Sequence, residues 1–137
     1  MPITTGFNHV ATLTTDLDRH AEFYRRAFGA EVTFRMDATS EHPRMFILDL
    51  GGGAALNVFE VASEEEILGE RRRQGGRGAI DHFALQVGSF AELEAARERL
   101  VDAGAEVGEI QRLGNEWSLF FRDVDGMELE VCAPGTS

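Results

Sequence analysis

Lysine is absent from these 137 residues, so all 13 basic side chains are arginine, and Schiff-base or lysine-general-base chemistry is excluded. Cysteine occurs once, as Cys132, which rules out an intramolecular disulfide and a multi-cysteine zinc site and fits a reducing, cytoplasmic setting. Positive charge is scarce as well: 24 acidic residues against 13 basic ones leave a net charge of −11. Such a surface attracts neither phosphate backbones nor anionic lipid, so nucleic acid and membrane are not expected partners. No charged n-region followed by an apolar h-region opens the sequence, and no apolar run approaches a membrane span.

What is present is a sizeable apolar fraction, 43% with ten phenylalanines, enough to fill one core. A chain this short supports one domain over residues 1–137, and any internal division has to share that core. The apolar pattern predicts a strand from Phe7 to Leu13, then a helix from about Leu17 to Phe28 after the capping segment Thr14-Thr15-Asp16. Leu17, Ala21, Tyr24 and Phe28 recur at helical spacing, and Gly29 stands where a left-handed C-cap belongs. Strands follow at Glu31–Arg35, Met45–Leu50 and Ala54–Val61, the last two separated by Gly51-Gly52-Gly53.

The charged segment Ser63 to Gly78 then reads as a linker, after which the order repeats. A strand is expected from Ile80 to Val87, with Ser89 as N-cap and Glu92 three residues on. A helix over Ala91–Ala103 follows, then Gly104. Further strands are expected near Val107–Arg112, at Trp117–Arg122 and at Met127–Val131, the last two joined by the tight turn Asp123-Val124-Asp125-Gly126. The text itself recurs: Gly29-Ala30-Glu31-Val32 reappears letter for letter as Gly104-Ala105-Glu106-Val107. Two βαβββ modules are therefore expected, at about 5–62 and 79–134 with the linker at about 63–78, packed together because neither is large enough to be stable alone.

Overlaying the copies sets Asn8-His9-Val10 on Asp81-His82-Phe83, and Asn57 on Glu130. A lone histidine near the start of a strand is ordinarily structural or solvated. Two at equivalent positions, with a carboxylate inside an apolar strand, make a stronger case. Strand alternation sets His82, Glu130 and Cys132 on one face, opposite the apolar residues that should meet the helices. Two imidazoles and a carboxylate suit a divalent ion with open positions, and iron, manganese, zinc, nickel and cobalt are all compatible.

The remaining candidates have plainer readings. His20 in the helix and His42 before Pro43 read as structural or solvated, and Arg71-Arg72-Arg73 as a solvated loop. Tyr24 and Trp117 read as core, and Cys132 reads equally as a small buried residue or as part of the site.

Asn8-His9-Val10-Ala11, Phe23-Tyr24-Arg25 before Phe28-Gly29-Ala30, Asp81-His82-Phe83-Ala84 and Asp123-Val124-Asp125-Gly126-Met127-Glu128-Leu129-Glu130 together resemble the vicinal oxygen chelate superfamily. That superfamily holds glyoxalase I, extradiol dioxygenases, methylmalonyl-CoA epimerase, and fosfomycin and bleomycin resistance proteins. The resemblance spans Phe7 to Ala133. It implies an α+β fold of two tandem βαβββ modules forming a curled mixed sheet around a cavity, with metal ligands on the first and last strands of each module. His9, His82 and Glu130 take three of those positions and Asn57 the fourth, with Glu130 expected to serve catalysis as well.

Asn57 departs from the carboxylate that glyoxalase I places there. An amide cannot act as that base, although its oxygen can ligate weakly or hydrogen-bond a metal-bound water. Glu60, three residues on, falls on the wrong face by alternation. The resemblance further implies a homodimer and a small-molecule substrate bound through vicinal oxygens, with isomerase, lyase and dioxygenase chemistry all open. A metal-free, drug-sequestering protein with an acidic surface is the competing reading.

Overall fold

The computed structural model describes residues 7–64, 82–113 and 115–135, so most of the expected linker, including Arg71-Arg72-Arg73, lies outside the described residues. The element order is β1 (His9–Thr14), α1 (Leu17–Phe28), β2 (Glu31–Met36), β3 (Met45–Gly51), β4 (Ala54–Glu60), then β5 (Phe83–Gln86), α2 (Phe90–Asp102), β6 (Glu106–Val107), β7 (Gln111–Leu113), β8 (Glu116–Arg122) and β9 (Glu128–Pro134). This is the expected α+β architecture of two tandem βαβββ units. The units form two curled mixed sheets, ordered β1-β4-β3-β2 and β5-β9-β8-β6 with β7 on β8. In each, the first strand runs parallel to the last and the other pairings are antiparallel.

Local chemistry sets the helix ends. The Asp16 side chain accepts the Arg19 N–H, and Gly29 closes α1 at φ 70°, its N–H directed to the Arg25 carbonyl. Ser89 accepts the Glu92 N–H at the start of α2, while the Glu92 carboxylate reaches back to the Gly88 N–H.

The outer strand expected near Val107–Arg112 is broken into β6 and β7. At the break, the Gly108 N–H still reaches the Phe120 carbonyl of β8, but the Gly108 carbonyl accepts from Arg97 of α2 at 2.8 Å. Arg97 also pairs with Glu109, so this stretch of backbone is shared between helix and sheet.

One apolar layer lies between helices and sheets: Leu17, Phe23 and Tyr24 of α1, Leu93 and Leu100 of α2, and Leu48, Leu56, Val58, Leu119, Phe121, Leu129 and Val131 from the strands. Each such leucine truncated to alanine costs about 2–5 kcal/mol. The halves are also tied by polar contacts, because Arg99 donates to the Arg26 carbonyl and Arg26 to the Asp102 carbonyl. With Leu129 and Val131 turned to the helices, alternation leaves Glu128 and Glu130 on the opposite face of β9.

Candidate metal centre

Both histidines stand at the start of their strands, His9 as the first residue of β1 and His82 immediately before β5. On the second sheet, Ala84 pairs in register with Glu130, which brings the imidazole two residues earlier beside that carboxylate. His82 Nε2 lies 3.2 Å from Glu130 Oε1. The other carboxylate oxygen, Oε2, accepts a 2.5 Å hydrogen bond from the buried hydroxyl of Ser118 on β8. The His82 ring meets Phe120 edge-on at 5.3 Å. Glu130 is thereby held by His82 and Ser118, one at each carboxylate oxygen.

On the first sheet, Ala11 pairs with Asn57, so by alternation Asn57 shares a face with His9. The His9 ring is exposed, and its Nδ1 lies 2.7 Å from the Asn8 side-chain oxygen. With Nδ1 protonated toward that oxygen, Nε2 carries the free lone pair, the tautomer a metal-ligating histidine uses. His9 and His82 line the same cavity of about 520 Å³, which opens between β1 and β5 and is walled by Phe7, Val10, Leu50, Phe83 and Leu85. Glu130 and Asn57 are not among its lining residues.

The expected set is therefore divided. His82 and Glu130 are in contact, whereas His9 shares only a cavity lining with His82 and, among the described residues, joins no group of three donor atoms within 4.8 Å. The donor types, two neutral-capable imidazoles and a carboxylate, fit a divalent ion. Glu60 is engaged elsewhere, accepting the Leu17 N–H at the start of α1 and pairing with Arg44, in keeping with its expected place on the other face. His42 is partly buried and packs beside Phe59.

Two features escaped the sequence reading. Ser118 as the anchor of Glu130 was within reach of strand alternation, since Leu119 and Phe121 point to the core and leave Ser118 on the other face. The second is a cluster behind the sheet. His20, expected to be structural or solvated, is 1% exposed and faces Asp123 and Asp125 of the β8–β9 turn. Burial depresses the imidazole to about 4, with the Arg19 charge adding to it. Burial and then the Asp125 charge push Asp123 up to about 6.

Two curled, open sheets from two βαβββ units, with a histidine at or just before the first strand of each half, define the class. The chain belongs to the glyoxalase/bleomycin resistance protein/dioxygenase superfamily, whose family model matches residues 6–131. Among solved structures it resembles the glyoxylase/bleomycin resistance protein/dioxygenase domain from Frankia sp. EAN1pec, at TM-score 0.80 and 27% identity, covering 96% of this chain and 93% of that one.

The fold is also that of lactoylglutathione lyase from Agrobacterium tumefaciens, at TM-score 0.70 and 22% identity over 98% of both chains. It is shared too by the fosfomycin resistance protein FosX of Listeria monocytogenes, solved as a mutant complexed with Mn(II) and 1S,2S-dihydroxypropylphosphonic acid. There the TM-score is 0.70 and the identity 20%, over 94% of this chain and 90% of that one. A curated relative, "Putative ring-cleaving dioxygenase MhqA" of Bacillus subtilis, is 23% identical over 93% of this chain, which spans only 40% of that protein's length. Among the described residues, no helix is long and apolar enough to cross a membrane.

Proposed function

We propose that this protein is a metal-dependent enzyme of the superfamily acting on a small molecule with vicinal oxygens. His82, Glu130 and His9 would hold one divalent ion, and Asn57 would serve as a weak fourth ligand or as a donor to metal-bound water. The observation that carries the reading is the His82–Glu130 contact at 3.2 Å, with the second carboxylate oxygen fixed by Ser118. A carboxylate clamped in this way is a prepared ligand, whereas a purely sequestering protein has no use for one. When bound, the ion supplies Lewis acidity toward substrate oxygens.

The chain's own residues then divide the work. Glu130 and the imidazoles orient the ion, and the apolar walls contributed by Val10, Leu50, Phe83 and Leu85 take the substrate body and exclude water. Isomerase, lyase and dioxygenase chemistries share these requirements, and Glu130 is the group placed to take part in any of them. The open edges of β1 and β5 each pair on one side only, which favours association with a second copy, and we propose a homodimer.

The test is elemental analysis of protein purified without added metal or chelator, beside the Glu130→Gln variant, followed by oxygen uptake with Fe²⁺ on catecholic substrates. Metal lost in the variant supports the reading, and oxygen uptake selects dioxygenase chemistry within it. Equal metal content in both proteins overturns the assigned ligands. Absence of metal in both, even after loading, favours the drug-sequestering alternative.

A further inference from the structure

We infer that His20, Asp123 and Asp125 form a second, structural divalent-cation site, which clasps α1 of the first module to the β8–β9 turn of the second. His20 Nε2 stands 4.0 Å from Asp123 Oδ2 and 4.0 Å from Asp125 Oδ2, too far for a hydrogen bond to either. The three donor atoms lie within 4.8 Å of one another, the one such group of three or more among the described residues. The centre of a triangle of that size is roughly 2.2–2.5 Å from each corner, the distance at which nitrogen and oxygen donors bind divalent cations.

The independent observation is His20 itself. It is 1% exposed, its Nδ1 has no hydrogen-bond partner, and its other ring nitrogen points at the two carboxylates without reaching them. A buried imidazole whose Nε2 is aimed at two carboxylates that it does not reach leaves a gap of the size a shared cation would fill.

The surroundings are built to hold the carboxylates in place. Asp123 Oδ1 accepts the N–H groups of Asp125 and Met127, and Asp123 Oδ2 accepts the Tyr24 hydroxyl at 2.9 Å. Asp125 Oδ1 accepts the Thr14 hydroxyl at 2.9 Å and stands 3.5 Å from Arg19, whose side chain is 51% exposed. Two nearly buried carboxylates thus face one imidazole, with Arg19 beside Asp125 at the solvent edge. One imidazole and two carboxylates are a donor set for Zn²⁺ or Mn²⁺. The Tyr24 ring, stacked on His20 at 4.8 Å, closes one side of the site.

This site is independent of the His82–Glu130 centre, and the experiment separates them. Protein carrying His82→Ala, which weakens the first centre, is stripped with chelator, reloaded with Zn²⁺ and dialysed. One zinc per chain is expected to remain, and it should raise the melting temperature. Adding Asp125→Asn, or separately His20→Gln, should remove that zinc and abolish the zinc-dependent rise, with circular dichroism confirming that each chain folds. Zinc-edge anomalous diffraction should place the ion among the three donors. No retained zinc in His82→Ala, unchanged zinc in both double variants, or a water without anomalous signal at the triangle would each overturn the proposal.

Discussion

Glu130 Oε1 and His82 Nε2 meet at 3.2 Å although 48 residues separate them in the chain. The parallel pairing of β5 with β9 produces this meeting, since Ala84 lies opposite Glu130. The first prediction follows from Ser118, which holds the far oxygen of the same carboxylate. His82→Ala and Glu130→Gln should each lower metal affinity at least about tenfold by removing a ligand, and Ser118→Ala should lower it roughly 10–100-fold by freeing Glu130 to rotate. Competition with a chromophoric chelator measures all three. A Ser118→Ala protein with parental affinity would show that the hydroxyl does not preorganise the site.

Tyr24 and Asp123 supply a prediction about stability. The phenol is fully buried, and its hydroxyl donates to Asp123 Oδ2 at 2.9 Å, joining α1 to a turn 99 residues away. Burial, and then the Asp123 charge, hold the phenol well above its ordinary ionisation range, so it is a donor at neutral pH. Tyr24→Phe keeps the ring packing and deletes the donor, leaving a buried carboxylate short of one partner. A loss of about 1–3 kcal/mol in urea unfolding is expected, with little change in the slope. A loss below about 0.5 kcal/mol would mean that the bond contributes nothing net.

The sequence made the modules legible because strand and helix periodicities repeat and the capping residues Asp16, Gly29 and Ser89 sit at their proper places. The faces were legible too, since alternation in β9 separates Leu129 and Val131 from Glu130. What could not be read was long-range partnering. Asp123 and Asp125 look like ordinary turn residues, and only the packing of α1 against the second module brings His20 to them. The break between β6 and β7 was hidden for the same reason, being set by Arg97 reaching from α2 to Gly108.

Cys132 tests which way the concave face is charged. Its thiol is pushed up to about 12, by burial first and then by the neighbouring Glu130 and Glu116 carboxylates. In metal-free folded protein it should therefore be slow to alkylate at pH 8, because almost no thiolate forms. The linkage sign follows: the folded pKa lies above that of the unfolded thiol, so stability is retained below about pH 8.5 and declines as pH rises toward 12. Cys132→Ala should flatten that alkaline decline in urea unfolding. Rapid alkylation of folded protein, or an unchanged decline in the variant, would contradict this environment.

Asn57 lies opposite Ala11 on β1, two residues beyond His9 and on the same face of the first sheet, the position that corresponds to Glu130 in the second. A neutral amide oxygen contributes less to a divalent cation than an imidazole does, so Asn57→Ala should weaken metal binding less than His82→Ala. Asn57→Glu should do the reverse. It adds a charged ligand on the same face, tightens the ion, and supplies a base that raises glyoxalase-like proton transfer above the parent's basal rate. A metal-competition titration of the three variants beside the parent, with a hemithioacetal substrate for the last, provides the measurement. Binding by Asn57→Glu no tighter than the parent would mean that this side chain does not reach the ion. Glu60 would not then replace it, because its carboxylate is committed to the Leu17 N–H and to Arg44; the fourth position would fall to water or substrate oxygen, and the ion would be held by His9, His82 and Glu130 alone.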